Sequence, residues 1–387
     1  MLKILVDATP IAPKPSGVGF YVATLIHFLS TLQSQENFQL GIVYQPGFKN
    51  WLRGRLDVPD CLKPYPERYL LPLPVRVSNL LLDNVPSFFP LYFERHLDLP
   101  DIVHGTNYNV YPYQKSRKVM SIYDLSFIKY PNYIDSVVKT YGDRVKKCLK
   151  WTDLVLTISE SSKSDIIEYL NVEPERIYVT PLASRYPSNF LPDEKIEQLK
   201  QSINYDFFQP YILFVSTIEP RKNIEALISA FNYLKDKFKL EHHLILIGQK
   251  GWHHEPIFAA IERSPWENHI HHLNYLADEL VALFYSQADV FVYPSHYEGF
   301  GLPVLEAMTL GAPVITSNTS SLPEVAGDAA LLIEPDDPTH LANAILRVIS
   351  DSQLRNELIQ KGQERAKLYS WERTAKETLK AYQSLLA

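Results

Sequence analysis

Hydrophobic positions in this chain follow two patterns that alternate from end to end. Short continuous apolar runs read as buried strands at Leu2–Val6, Leu40–Tyr44, Asp101–His104, Lys118–Tyr123, Asp153–Ile158 and Arg176–Pro181. Six more follow at Tyr211–Ser216, His243–Ile247, Ile270–Leu273, Asp289–Tyr293, Pro313–Ser317 and Ala330–Ile333. Between these runs apolar residues recur at helical spacing. Val18, Tyr21, Val22, Leu25, Phe28, Leu29 and Leu32 make one such face behind Gly17 and Gly19, and helices are predicted over Asn223–Lys237, Ile257–Arg263, Asp278–Gln287, Leu302–Leu310 and Pro338–Ser350. Strand and helix in alternation give parallel sheets covered on both faces. The expected fold class is therefore α/β, with two Rossmann-like domains facing across a cleft.

The polar stretch Ser184–Asn204 is the candidate linker. It divides a first domain over 1–188 from a second over 189–368, with 369–387 as a closing helix. Asp7 to Ser16 reads as a proline-rich loop, and its length, with no third glycine after Gly19, argues against a dinucleotide site. Pro64–Pro100 departs from the alternation. It is crowded with leucine, aromatic and proline residues beside Arg68, Arg76 and Arg95, and reads as a helical subdomain or as a surface for a membrane or a lipid-linked molecule.

The length of 387 residues agrees with two domains, and 46% hydrophobic with 21% charged residues describes an ordinary globular chain. A formal net charge of −6 gives no reason to expect nucleic-acid binding and leaves anionic ligands to local basic clusters. Cys61 and Cys148 do not make a disulfide framework, the first residues read as a strand rather than a signal peptide, and no apolar run approaches the ~18 residues of a spanning helix. A cytoplasmic location, with peripheral contact to the inner face of a membrane as an option, is the expectation.

The candidate chemistry concentrates after two strands. Glu298-Gly-Phe-Gly-Leu-Pro-Val-Leu-Glu306 leads from a strand into a helix, where Gly299 and Gly301 allow close backbone approach and the first-turn amides suit a phosphate. Glu306 would lie about one turn inside the helix, while Glu298 would stay in the loop. Thr217-Ile-Glu-Pro-Arg221-Lys222-Asn223 sets two adjacent cations at a strand end, a pattern that suits a diphosphate. Seven histidines between His242 and His272 bracket strands without a metal-ligand spacing, and no Asp-x-Asp occurs, so no metal site is expected.

The string from Glu298 to Glu306, continued by Ala307-Met-Thr-Leu-Gly-Ala-Pro-Val-Ile315, resembles the E-x7-E signature of retaining GT-B glycosyltransferases of family 4. Thr217–Asn223 resembles the family's diphosphate-binding motif, and Gly105-Thr-Asn107 and Tyr123-Asp124-Leu-Ser-Phe127 its first-domain loops, with Tyr123 where relatives carry histidine. The resemblance implies a nucleotide-diphosphate sugar donor, a UDP-sugar, UDP-glucose, being favoured over a GDP-sugar, and a glycan or lipid-linked acceptor. No cofactor is implied. It places Gly17 and Gly19 near donor phosphate or acceptor, and Arg221, Lys222 and the amides after Gly299, with Phe300, Gly301 and Leu302, on the leaving diphosphate. Glu306 would hold the ribose, Glu298 the sugar, and backbone near Tyr275 and Leu276 the base. Tyr123, Asp124 and His104 would lie near the reacting centre, the first domain would be the acceptor side and the second would bind the nucleotide sugar, and the last helix would cross back to the first domain. A GDP-mannose-dependent mannosyltransferase, a nucleotide-sugar epimerase on the same fold and a non-catalytic bilobal binding protein are the alternatives.

Overall fold

The computed structural model describes residues 1–12, 17–54, 56, 58–131 and 136–386, so the expected loop from Asp7 to Ser16 lies partly outside the described residues. The first sheet contains β1 (Leu2–Asp7), β2 (Phe38–Tyr44), β3 (Arg68–Leu70), β4 (Ile102–Gly105), β5 (Arg117–Ser121), β6 (Leu154–Thr157) and β7 (Ile177–Val179). Its order is β3-β2-β1-β4-β5-β6-β7, with every pairing parallel. The second sheet contains β8 (Tyr211–Val215), β9 (His243–Ile247), β10 (Ile270–Leu273), β11 (Val290–Tyr293), β12 (Val314–Ser317) and β13 (Ala330–Ile333). It runs β10-β9-β8-β11-β12-β13, again all parallel. β4, β6, β8, β11 and β12 are buried along their whole length, which is why they read as unbroken apolar runs.

Strand order reverses between β1 and β4 in one sheet and between β8 and β11 in the other. At such a point the two following connections leave in opposite directions and open a crevice at the carboxyl ends of the strands. The segments expected to carry chemistry follow β4, β8 and β11.

The final helix, Trp371–Ser384, returns to the first domain as expected. Its buried residues Trp371, Thr374, Ala375, Thr378, Leu379, Ala381 and Tyr382 form one face, and each large apolar side chain among them contributes about 1.5–3 kcal/mol on burial. That face packs on the helix Gly17–Leu32, with the Trp371 ring 5.9 Å from Phe20. Thr374 Oγ1 donates to the Pro181 carbonyl at 2.6 Å and Trp371 Nε1 to that of Ser184 at 3.0 Å.

Two regions differ from the sequence reading. β3 lies inside the stretch expected to be a helical subdomain, where its three residues pair with β2 at the sheet edge and are too short to show a period. The expected linker contains a helix, Asp193–Ser202, whose mostly exposed polar residues hide its periodicity.

Candidate active site

β8 ends at Val215, and the chain turns through a single 3-10 turn, Pro220–Lys222, that buries Lys222. β11 ends at Tyr293, and five residues on is Glu298. Because β8 and β11 are neighbours, the two loops meet. Lys222 Nζ donates to Glu298 Oε1 at 2.6 Å and to the Tyr293 hydroxyl at 2.9 Å. Arg221 Nη1 lies 3.2 Å from Glu298 Oε2, its Nη2 donates to Glu219 Oε1 at 2.7 Å, and Nη1 also donates to the Tyr297 carbonyl. Ser295 Oγ completes the set, donating to Glu298 Oε1 at 2.6 Å.

This cluster is buried. Burial alone would raise the Glu298 carboxyl, but Lys222 and Arg221 outweigh it and hold it at about 2. Burial and the neighbouring Arg221 push the Lys222 ammonium down, against the pull of Glu298. Two cations side by side out of water need a counter-charge, and Glu298 supplies it. Glu298, expected to contact the sugar, therefore has its carboxylate engaged within its own domain.

The turn after Glu298 joins the two domains. Gly301 begins the helix Leu302–Thr309 at φ +107°, a conformation that side chains rarely adopt. A Cβ on Gly299 would lie 2.6 Å from the Tyr123 carbonyl oxygen and 2.9 Å from Asp124 Cβ, so the second domain's loop rests directly on the first domain. Ser159 Oγ and Ser162 Oγ donate to the Gly299 carbonyl at 2.7 and 3.1 Å. The Tyr297 hydroxyl donates to Asp165 Oδ2 at 2.7 Å and accepts from the Leu125 amide at 3.1 Å. Glu324 accepts from the Glu160 and Ser161 amides at the start of the helix Glu160–Leu170.

Other expected site residues are placed differently. The Tyr123 hydroxyl donates to the Thr106 carbonyl and its ring packs edge-on against Tyr21 and Tyr108, all within the first domain. His104 is fully buried at the end of β4, with Nδ1 2.7 Å from the Tyr382 hydroxyl and Nε2 2.8 Å from Ser121 Oγ. Burial pushes its pKa down to about 3, which keeps it neutral. Both its nitrogens are engaged, one of them at the joint with the last helix. Glu306 is 1% exposed, and both its oxygens accept from Arg185, Oε1 from Nε at 2.6 Å and Oε2 from Nη2 at 3.1 Å.

The remaining expectations fall around the same edge. Gly17 and Gly19 open the helix behind β1, with Gly19 buried, and Thr217 is exposed after β8. Asp124 accepts from Ser126 through both amide and hydroxyl, at 3.1 and 2.9 Å. Tyr275 is exposed and Leu276 half-buried just beyond β10, while Phe300 is buried against Tyr369 and Leu302 is half-buried. His243 Nδ1 meets His271 Nε2 at 2.7 Å, so these two rings bond to each other, and no group of three or more ligand side chains able to hold a metal ion occurs among the described residues. Sequence reasoning missed Arg185, Tyr297, Asp165 and Tyr382. Each acts across a long sequence separation, and none sits in a motif.

Two parallel-sheet domains closed by a returning helix, with a buried cation pair and a glycine turn at the switch point, make up the GT-B architecture. The sequence profile described as Glycosyl transferases group 1 matches residues 195–365. O-antigen chain mannosyltransferase B of Escherichia coli is 37% identical over 388 residues, covering 99% of this chain and 100% of that one. The serotype-specific mannosyltransferase WbdA of Escherichia coli is 30% identical over 240 residues, which is 60% of this chain and 29% of that longer protein. Sucrose-phosphate synthase from Thermosynechococcus elongatus superposes with a TM-score of 0.76 over 100% of this chain and 99% of that one, at 20% identity. This chain belongs to the glycosyl transferases group 1 family.

Proposed function

We propose that the protein is a retaining, metal-independent mannosyltransferase that moves a mannosyl residue from a nucleoside-diphosphate donor to a glycan or lipid-linked acceptor in polysaccharide biosynthesis. The observation that carries this reading is the Lys222–Arg221–Glu298 cluster beside the glycine turn at the β8/β11 switch point. As the bond from the anomeric carbon to the diphosphate oxygen breaks, negative charge builds on the diphosphate. Lys222, Arg221 and the amides that follow Gly301 are preorganised to receive it. The acceptor oxygen bonds to the same face of the sugar, and its proton passes to the departing phosphate, so no side-chain base is required. Glu306 holds the ribose, and the base lies against the backbone at Tyr275 and Leu276.

Mannose is favoured over the glucose expected from the sequence by the name of the full-length relative, which makes GDP-mannose the first donor to test and UDP-glucose the second. Leu80, Val85, Leu91 and Tyr92 are exposed in the same segment as Arg76 and Arg95, which supports peripheral contact with an anionic membrane carrying the acceptor. No helix among the described residues is long and apolar enough to cross a membrane. The test is incubation with each donor and a mannose-terminated acceptor, with and without chelator, followed by assignment of the product anomer by NMR. Transfer with retained configuration is expected. An inverted product, or release of nucleoside monophosphate in place of diphosphate, overturns the reading.

A further inference from the structure

We infer that Arg185 is an internal competitor of the nucleotide: it holds Glu306 in the empty enzyme, leaves it when a ribose arrives, and returns as the spent nucleoside diphosphate departs. The inference rests on the reading of Glu306 as the ribose ligand. With 1% of its side chain exposed, Glu306 offers an entering ligand no open face. The group that covers it is Arg185, which comes from the connection between the two domains and is itself 31% exposed on the outer side of the pair. Its Nε and Nη2 take both carboxylate oxygens in the fork geometry that a guanidinium and a carboxylate share. A vicinal diol needs those same two oxygens, and a guanidinium has no acceptor with which to pass the contact on.

The structure also shows where Arg185 goes. Asp278 Oδ1 lies 3.4 Å from Nη1, and its half-exposed carboxylate is a second partner already within reach. A cavity of about 670 Å³ between the domains, lined by Phe20, Ser184, Tyr186, Gln363 and Trp371 as well as Arg185, gives the side chain room to swing. The exchange replaces one pair of charge-assisted hydrogen bonds on Glu306 by another, so the nucleotide gains less from this carboxylate than it would from an unoccupied one. Weak retention of the leaving nucleotide follows, which favours product release.

Calorimetry with UDP and GDP, each alongside its 2′,3′-dideoxy counterpart, tests this. For whichever ribonucleotide the wild type binds, Arg185→Ala and Arg185→Gln are expected to tighten binding by about tenfold, the loss of one charge-assisted competitor. Neither variant is expected to change the affinity of the dideoxy form, which has no diol for Glu306. Two variants guard against a folding defect in either, and melting curves identify one. Weaker or unchanged binding of the ribonucleotide, or equal tightening of both forms, overturns the role of Arg185. If the wild type binds neither UDP nor GDP, the donor reading fails instead.

Discussion

Lys222 Nζ and Glu298 Oε1 are 2.6 Å apart inside the second domain, an ion pair built across the strand-order reversal from two loops 76 residues apart. Glu298→Gln keeps the shape and removes the counter-charge. Removing one partner of a buried pair costs up to about 3–5 kcal/mol, and the amide's hydrogen bonds offset part of this. Urea unfolding is expected to show that loss, while calorimetry shows nucleoside diphosphate bound no more weakly, since the two cations no longer have a competing anion. Sugar transfer falls. Weaker diphosphate binding would instead give Glu298 a direct contact with the donor.

Gly299 is predicted to be the position where the two domains are most sensitive to one added carbon. A Cβ there meets backbone of Tyr123 at 2.6 Å, and backbone has little freedom to yield. Gly299→Ala should leave nucleotide affinity close to wild type and lower transfer at least tenfold, because the loop no longer seats on the first domain. Unchanged transfer would mean that this contact opens during turnover.

Tyr123→Phe removes a hydroxyl that donates to the Thr106 carbonyl in a buried place. A carbonyl left unsatisfied costs about 1–3 kcal/mol, to be read as a lower melting temperature. Donor affinity should not move. A large loss of turnover without loss of stability would return the hydroxyl to the reacting centre.

Acid sensitivity follows from His104, which is buried, and His243, which is half-buried. Burial lowers His104 to about 3 and His243 to about 4, so near pH 5 both are neutral when folded, whereas the unfolded chain protonates them below about 6.5. The unfolded state binds more protons in that window, so stability is full above pH 6.5 and is lost as pH falls through 6.5 towards 4 for His243 and 3 for His104. For His104, which is fully buried, the slope approaches ~1.4 kcal/mol per pH unit. Unfolding titrations at pH 7, 5.5 and 4.5 check this, and His104→Gln is expected to flatten the acid limb.

The proposed membrane contact has a salt signature. Cosedimentation with anionic vesicles should be strong at low ionic strength and fall as salt screens Arg76 and Arg95. Leu91→Asp with Tyr92→Asp should abolish it, and absence of binding at every salt concentration would assign the segment to folding alone.

The strands were legible because burial on both faces leaves an unbroken apolar run, as in Tyr211–Val215, and the cation pair was legible because Arg221 and Lys222 are adjacent after a strand. Partnership was not. Nothing local to Glu298 says whether its carboxylate turns to a sugar or to Lys222, and nothing local to Glu306 announces an arginine 121 residues earlier. His104 shows the same limit. A histidine at the carboxyl end of a strand suits catalysis, yet its partner Tyr382 is 278 residues away, and that distance turns the residue into a joint.

The helix Trp371–Ser384 has a consequence for how the protein is made. It packs on Gly17–Leu32 and bonds to β4, but it is synthesised only after the whole second sheet. Domains generally fold in the order in which they leave the ribosome. Here the first sheet emerges first and must wait with the apolar face of its first helix uncovered, while the later domain can be finished before it. During translation the first domain is thus the vulnerable half, and a ribosome that stalls near residue 370 leaves the first domain, rather than the second, exposed to chaperones and proteases.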